Sequence, residues 1–400
     1  MDLVTQALVG AVAGGATRSL IRQPELPAEV PAEVPAEIST KDATNRTAAL
    51  RAAALTGALA ALLADADVLL GNPADPIIAQ ELHRHFSHAL LFVPVGAALV
   101  TALLARPLRR HLAMAPRFAA AAAGLLTAGL LDACTGFGTH LLWPFSDART
   151  AWNLVSIIDP AFTLLALLPL LLALRSGRAG ALLLALALLL AYLLLALVQQ
   201  QRAMTAGASA AEARGEVPQR QLVRPSFGNI LLWRSVYLAG GAWQADAVRL
   251  GPTSVCVYPG DRAPALQVLG SGGSEAPSGP VTEALPEWLP PDAARRLARL
   301  TDDVLVLDTS AQQIGDGRFA MLPDSMAPIW GLRASTTEAV TATQDPELDA
   351  RKVRIREQRA VEDAQSDGSA LQWFTDRTLT PAMRSRFIAM LLGNDPDCRR

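Results

Sequence analysis

ALLLALALLLAYLLLALV, residues 181–198, is the stretch that decides the fold. It contains no charged residue, and its length is close to the roughly 20 residues that a helix needs to cross the hydrocarbon core of a bilayer. Two more apolar runs of similar length lie at 89–105 and 154–174. These three runs predict three membrane-spanning helices.

Three shorter apolar stretches, at 3–16, 52–64 and 118–131, are rich in alanine and glycine. Small residues let helices approach each other closely, so these stretches suit the inside of a helix bundle better than its lipid-facing surface. We therefore expect a multi-pass α-helical membrane domain of about six helices over residues 1–199.

The chain changes character after Val198. Apolar residues make up 51% of the whole sequence, but beyond this point they occur in short runs separated by Gly/Pro-rich turns. This pattern predicts a soluble α+β domain over residues 200–400. A Pro/Ala/Glu-rich tract at 24–40, with proline at every fourth position of its repeat, predicts an extended loop.

Composition argues against two kinds of site. Lys and Arg number 35 against 37 Asp and Glu, and binding of a nucleic acid needs a basic surface, so nucleic acid is not an expected partner. The three cysteines are odd in number and show no CxxC spacing. We expect isolated small side chains there rather than a disulfide framework or a thiolate zinc site.

The basic residues of the short loops predict the orientation, because Lys and Arg resist translocation. They cluster at 18–51, 106–117 and 175–179, which we expect in the cytoplasm. The segments expected on the outside are the N-terminus, residues 65–88, residues 132–153 and everything after 199. The sequence thus predicts a bacterial cytoplasmic (inner) membrane protein, embedded in the lipid bilayer, with its C-terminal domain outside.

The chemically distinctive residues lie in the segment His83-Arg84-His85-Phe86-Ser87-His88 and in aspartates of the same outer loops. Imidazole and carboxylate are ligands of zinc and similar divalent ions, which take three such ligands at a catalytic site and keep one position for water. The predicted metal ligands are Asp65, His83, His88 and Asp132. Asp67 is predicted either to hold these ligands through hydrogen bonds or to act as the general base.

The aspartates follow predicted helices, Asp65 and Asp67 the second one and Asp132 the fourth. His88 lies near the start of the third long helix. We therefore expect three helix ends to bring the ligands to one point.

The motifs and their order resemble the YdjM-type family of membrane-bound proteins described as metal-dependent hydrolases. MDLVTQALVG resembles the family's start, Ala64–Asp67 its Pro-Asp-x-Asp turn, and His83–Ala89 its His-Arg-Gly-x-Thr-His-Ser signature. Further similar segments are Leu131–Gly138, Leu142–Ser146 and Ile158–Pro160 and, as in larger members, Phe227–Arg234, Asp316–Phe319 and Pro328–Arg333. The resemblance implies a hydrolase reaction supported by a bound metal, with ligands among the signature histidines and aspartates.

The sequence also departs from the family pattern. Gln6 and Ala128 stand where many members have histidine, His85 replaces the signature glycine, and Ser87 replaces threonine. Either His85 and His140 substitute for the two absent imidazoles, or the site is weakened or inactive.

The sequence therefore predicts a metal-dependent hydrolase at the outer face of the membrane, with zinc as the first candidate ion and a lipid-like or envelope-derived substrate. The alternative is a non-enzymatic membrane protein whose outer domain is a binding or assembly module. A transporter is less favoured, because it would be expected to carry charges within the long spans or paired broken helices.

Overall fold

The computed structural model describes residues 1–20, 36–72, 75–266, 285–309, 311–334 and 371–398. The first half of the chain is helical, and the second half is built mainly from antiparallel strands. The predicted loop at 24–40 falls mostly outside the described residues, since only 36–40 are among them, as the start of a helix.

Eight helices form the described N-terminal part. They are α1 (Leu3–Leu20), α2 (Ala36–Ala64), α3 (Ile78–Leu82), α4 (Phe92–Leu103), α5 (Ala105–Leu108), α6 (Met114–Ala133), α7 (Pro160–Ser176) and α8 (Gly180–Ala213). A 3-10 turn, Asp65–Leu70, follows α2, and another, Phe86–His88, precedes α4. α8 runs unbroken for 34 residues and so continues through the predicted domain boundary at 199/200.

Glycines bring α1, α2 and α6 into backbone contact. A β-carbon on Gly57 of α2 would lie 2.8 Å from Gly14 Cα and closer still to the carbonyl oxygen of Gly10, both in α1. A β-carbon on Gly124 of α6 would lie 2.9 Å from Gly57 Cα. Only glycine permits so close an approach on both faces of α2. The three helices coincide with the stretches whose Ala/Gly content predicted close packing.

The prediction of about six membrane spans is not confirmed. Among the described residues, three helical segments are long and apolar enough to cross a membrane, namely 44–70, Met114–Ala133 and Gly180–Ala213. A fourth span results if the segments 78–88 and 92–103, bent by 82°, are taken as one. The 18 residues of α1 include Gln6 and Arg18, and α7 has only 17 residues with Pro169 inside. These features lower the apolar length of both helices.

The apolar runs at 89–105 and 154–174 also differ from the straight spans that the sequence predicts. Leu90 N donates to Leu141 O at 3.0 Å, a contact outside its own helix, so the chain turns before α4 begins. α7 begins only at Pro160, because the Asp159 side chain accepts from Phe162 N at 3.1 Å and caps the helix there.

The C-terminal part contains two four-stranded antiparallel sheets, which confirms the prediction of a sheet-containing domain. The first has the order β1 (Arg220–Pro225), β2 (Leu232–Ala239), β3 (Ala242–Leu250) and β4 (Val255–Pro264). The second has the order β5 (Leu305–Asp308), β6 (Gln313–Asp316), β7 (Trp330–Ala334) and β8 (Leu371–Thr375). Two helices, α9 (Pro291–Leu300) and α10 (Pro381–Leu392), pack on these sheets.

The expectation of three isolated cysteines is wrong for two of them. Cys256 in β4 and Cys398 form a disulfide, whereas Cys134 is buried and free. The partners are 142 residues apart, so no local spacing in the sequence indicates the pairing.

The C-terminal domain packs directly on the loops of the helical part. Ile77 and Phe137 join an apolar cluster that includes Leu297 of α9. Arg296 of α9 forms ion pairs with Asp75 at 2.8 Å and with Glu81 at 2.6 Å. The loop that leads into the histidine segment therefore contacts the C-terminal domain through both apolar packing and ion pairs.

The glycine contact predicts a large effect of one methyl group. Gly57→Ala is expected to lower the free energy of unfolding by about 2–3 kcal/mol, because the methyl group would meet backbone atoms, which cannot rotate away. Gly180→Ala is the matched control, since a β-carbon there has no neighbour within 4 Å. Thermal unfolding in detergent would measure both, and an equal melting temperature for the two variants would contradict the contact.

Candidate metal centre

Three chain segments meet at one end of the helix bundle. α2 ends at Ala64 and leads into the turn that holds Asp65 and Asp67, while α6 ends one residue after Asp132. The turn Phe86–His88 lies against α6, where a β-carbon on Gly129 would be 2.5 Å from the His88 carbonyl oxygen. Glycine at 129 thus lets the histidine segment reach the end of α6.

The side chains of Asp65, His88 and Asp132 form what we call the Asp-His-Asp group. One ligand atom of each lies within 4.8 Å of the others. His88 Nε2 is 2.9 Å from Asp132 Oδ2 and 3.4 Å from Asp65 Oδ1. All three residues are buried. The structure therefore brings together three of the four residues predicted as ligands.

The group contains polar atoms without partners. Asp65 Oδ2, His88 Nε2 and Asp132 Oδ2 are buried and have no hydrogen-bond partner among the described residues, so the short approach of His88 to Asp132 lacks hydrogen-bond geometry. Each such buried atom costs about 1–3 kcal/mol, and native proteins rarely leave one unsatisfied. A divalent cation would give all three atoms a partner. A set of one nitrogen and two carboxylate donors fits zinc and other first-row divalent ions.

Asp67 lies behind the group, and both of its oxygens are occupied. Oδ1 is 2.9 Å from His83 Nδ1, and Oδ2 accepts from Arg84 N at 2.8 Å and from Ser87 Oγ at 2.7 Å. His88 Nδ1 is 3.4 Å from the same Oδ2. A carboxylate on the far nitrogen of a histidine fixes the orientation of the ring. This geometry favours the first of the two predicted roles of Asp67, the one that holds the ligands in place.

His83 is not part of the Asp-His-Asp group. Its Nδ1 faces Asp67, and its ring centroid is 6.4 Å from that of His88. The His83 side chain is 27% exposed, whereas that of His88 is fully enclosed. The structure thus gives His83 a carboxylate partner and access to solvent.

Arg84 and Ser87 are site residues to which the sequence reasoning assigned no metal-site role. Arg84 Nη2 is 3.3 Å from Asp132 Oδ1, an oxygen that also contacts the amino group of Met1. The backbone of Arg84 has φ +61°, a left-handed conformation that is unfavourable for a residue with a side chain, and its N–H meets Asp67. The feature of the sequence that could have indicated them is their position between His83 and His88.

The positions that depart from the family pattern lie around the group. Gln6 is buried and its Nε2 is 3.4 Å from Ala61 O, one helical turn before Asp65. Ala128 packs among alanines of α2 and α4. His85 and His140 have ring centroids 4.5 Å apart and contact each other, but neither belongs to the Asp-His-Asp group.

The other aspartates considered from sequence serve elsewhere. Asp159 caps α7 and accepts from Tyr192 OH at 2.7 Å, and Asp75 pairs with Arg296. Asp147 is exposed.

A family model described as YdjM inner membrane protein matches residues 1–203. This range covers about half of the chain and every residue of the site. The chain belongs to the YdjM family. The resemblance drawn from the motifs is thereby confirmed, and with it an inner membrane protein. No curated protein and no solved structure matches the chain.

The ion pair between Arg84 and Asp132 predicts that replacing Asp132 strongly destabilises this YdjM protein. Asp132→Ala would leave the buried Arg84 without its carboxylate, and removing one partner of a buried pair costs about 3–5 kcal/mol. Asp147→Ala removes an exposed carboxylate and is the control, expected within about 0.5 kcal/mol of the wild type. The measurement is unfolding in detergent, and equal stability of the two variants would contradict the contact between Arg84 and Asp132.

Proposed function

We propose that this YdjM protein is a membrane-bound metal-dependent hydrolase. The observation that carries the proposal is the meeting of three buried residues, Asp65, His88 and Asp132, each of which has one ligand atom within 4.8 Å of the others and a nitrogen or oxygen without a hydrogen-bond partner in the described part of the chain. These residues would hold the ion. A divalent ion there supplies Lewis-acid polarisation and lowers the pKa of a water molecule that it binds.

The charges around the group support a dication. Asp65, Asp67 and Asp132 place three carboxylates in a buried space, where the fixed cations that contact them among the described residues are Arg84 and the amino group of Met1, both at Asp132. Among the described residues, the only ion-pair partner of Asp65 is His88. Uncompensated buried charge is costly, and a divalent ion offsets it. Zinc remains the first candidate, because its catalytic sites use three histidine or carboxylate ligands.

His83 and Asp67 are suited to moving a proton. A histidine whose Nδ1 faces a buried carboxylate is held in one orientation, with Nε2 directed away from that carboxylate. His83 has this arrangement and is partly exposed, so we assign it the acid–base role rather than that of a ligand. Asp67 then holds both histidines, His88 on the ion and His83 towards the solvent.

The place of the site supports a substrate class and a side of the membrane. The Asp-His-Asp group lies where helices end, so a lipid-like or envelope-derived substrate could reach it from the membrane surface. Two observations support the outer side. The basic loops lie at the other ends of the helices, and the Cys256–Cys398 disulfide fits an oxidising compartment.

Metal content distinguishes the proposed role of His88, a ligand, from that of His83, an acid–base residue. Wild-type protein purified from the membrane is expected to hold about one divalent ion per chain, as such three-ligand sites do. His88→Ala is expected to lose it, whereas His83→Ala should keep the ion and lose turnover of chromogenic esters and phosphoesters. Elemental mass spectrometry measures the ion. His111→Ala, an exposed histidine between α5 and α6, is the control.

Two results would change these assignments. If wild type and His88→Ala both contain almost no divalent ion, the proposal of a metal-dependent hydrolase is wrong. The alternative is then a non-enzymatic membrane protein with its C-terminal domain as a binding or assembly module. Loss of the ion in His83→Ala as well as in His88→Ala would make His83 a ligand.

The orientation has its own test. Cells are lysed in denaturant with a polyethylene-glycol maleimide, which adds mass to each free thiol. An outer C-terminal domain predicts labelling of Cys134 alone without reductant and of all three cysteines after reduction. A Cys256→Ser/Cys398→Ser double variant, labelled once under both conditions, is the control. Labelling of three cysteines without reductant would place the domain in the cytoplasm.

A further inference from the structure

A cavity of about 790 Å³ lies between the loops of the helical part and the C-terminal domain. Its walls include His85, Phe137, His140 and Arg149 from the loops and Arg224 from β1. No member of the Asp-His-Asp group lines it. Its volume falls in the range of about 300–1,000 Å³ that is usual for small-ligand sites.

Three of the cavity's five arginines, Arg149, Arg224 and the exposed Arg299, have no carboxylate partner among the described residues. Arg296 is neutralised by Asp75 and Glu81, and Arg318 is neutralised by Asp316. Arg149 and Arg224 form no ion pair with any residue in the described part of the chain. Buried guanidinium groups are normally paired, because removing an unpaired charge from water is costly.

Arg149 has an unused donor. Within the part of the chain that the structure describes, its Nη1 is buried without a hydrogen-bond partner, and Nη2 makes only long contacts of 3.4 Å with the carbonyl oxygens of Gln80 and His83. The guanidinium lies over the Phe137 ring, 4.5 Å from its centroid. The Phe137 ring fixes the plane of the Arg149 guanidinium group, whose Nη1 remains available as a donor.

The Arg224 side chain is also held in place by its contacts. Its Nη1 donates to Arg318 O at 3.0 Å, and its guanidinium lies 3.4 Å from the centroid of the Phe319 ring. A β-carbon on Gly136 would be 3.0 Å from Arg224 Cζ, so glycine lets this side chain of the C-terminal domain lie against the loop of the helical part. Burial lowers the pKa of Arg149 and of Arg224 to about 9, and both stay cationic at neutral pH.

His140 adds a neutral group to the cavity. Its Nδ1 is buried and has no hydrogen-bond partner in the described ranges of the chain. Burial, together with the charges of Arg149 and His85, lowers the pKa of His140 to about 4, so the ring is uncharged at neutral pH. It can donate or accept one hydrogen bond.

We propose that this cavity binds the phosphate group of a ligand through Arg149, Arg224 and His140. Guanidinium forks bind phosphate oxygens in pairs, and the several oxygens of one phosphate can meet two forks and an imidazole together. The phosphate would give Arg149 Nη1 and His140 Nδ1 the partners that they lack. This site goes beyond the hydrolase proposal and does not require the metal.

The test uses the full-length protein in detergent and three probes. They are inorganic phosphate, dihexanoyl phosphatidic acid, and dihexanoylglycerol, which lacks the phosphate. Calorimetric titration is expected to show binding of at least one phosphate-bearing probe and none of dihexanoylglycerol. Tighter binding of phosphatidic acid would assign the phosphate to a lipid headgroup, and equal binding of the two would assign it to soluble phosphates.

The variants identify the residues. Arg149→Gln and Arg224→Gln are each expected to weaken phosphate binding at least about tenfold, as loss of a charged hydrogen bond does. Arg149→Lys, which keeps the charge but not the fork, should lie between Arg149→Gln and wild type. Arg384→Gln, an exposed arginine of α10, is the control and should bind as wild type does.

The melting temperature without ligand shows whether a variant loses binding because it misfolds. Because Arg149→Gln removes an unpaired, half-buried charge, its melting temperature without ligand should equal or exceed that of wild type. A purely structural Arg149 would give a lower melting temperature and no change in affinity. Absence of binding of both phosphate probes to wild type, or equal affinity in wild type and both Gln variants, would overturn the proposal.

Discussion

The contact of Gly57 with Gly14 and Gly124 is the constraint on which the rest of the site depends. Asp65 follows Gly57 by eight residues, and Asp132 follows Gly124 by eight residues. With a rise of 1.5 Å per residue, both helices continue about 12 Å beyond their closest approach before the aspartates are reached. α2 and α6 run in the same direction here, so the two carboxylates emerge side by side at one level. A larger residue at 57 would separate them.

Local features made part of this arrangement predictable from the sequence. Alanine and glycine content indicated which helices pack closely, and the positions of Asp65 and Asp132 after two such stretches indicated convergence. The bend before α4 could not be predicted, because it depends on Leu90 N meeting Leu141 O, 51 residues away. The number of spans is not confirmed for a related reason, since apolar composition does not show where Asp159 caps a helix or where a polar Gln6 lies inside one.

Asp67 explains why His83 and His88 have different surroundings. The two histidines are five positions apart, a spacing that does not put both on the same face of a regular helix. The chain between them instead turns through Arg84, at φ +61°, and the 3-10 turn Phe86–His88. This path wraps around one carboxylate, so that Asp67 receives Arg84 N, Ser87 Oγ and His83 Nδ1. The residue types suggested two histidine ligands, whereas the turn gives one enclosed ring and one open ring.

The two halves of the chain contribute unequally to the two proposed sites. Asp65, His88 and Asp132 all lie in the part that matches the YdjM family, so the metal centre needs no residue of the C-terminal domain. The cavity needs Arg224 from β1 as well as Arg149 from the loop. Phe137 is the ring they share, since its centroid is 4.5 Å from Arg149 Cζ, 5.4 Å from Arg84 Cζ and 5.9 Å from the His83 ring. The cavity thus adjoins the histidine segment through His85 and Phe137, whereas neither His83 nor the enclosed His88 lines it.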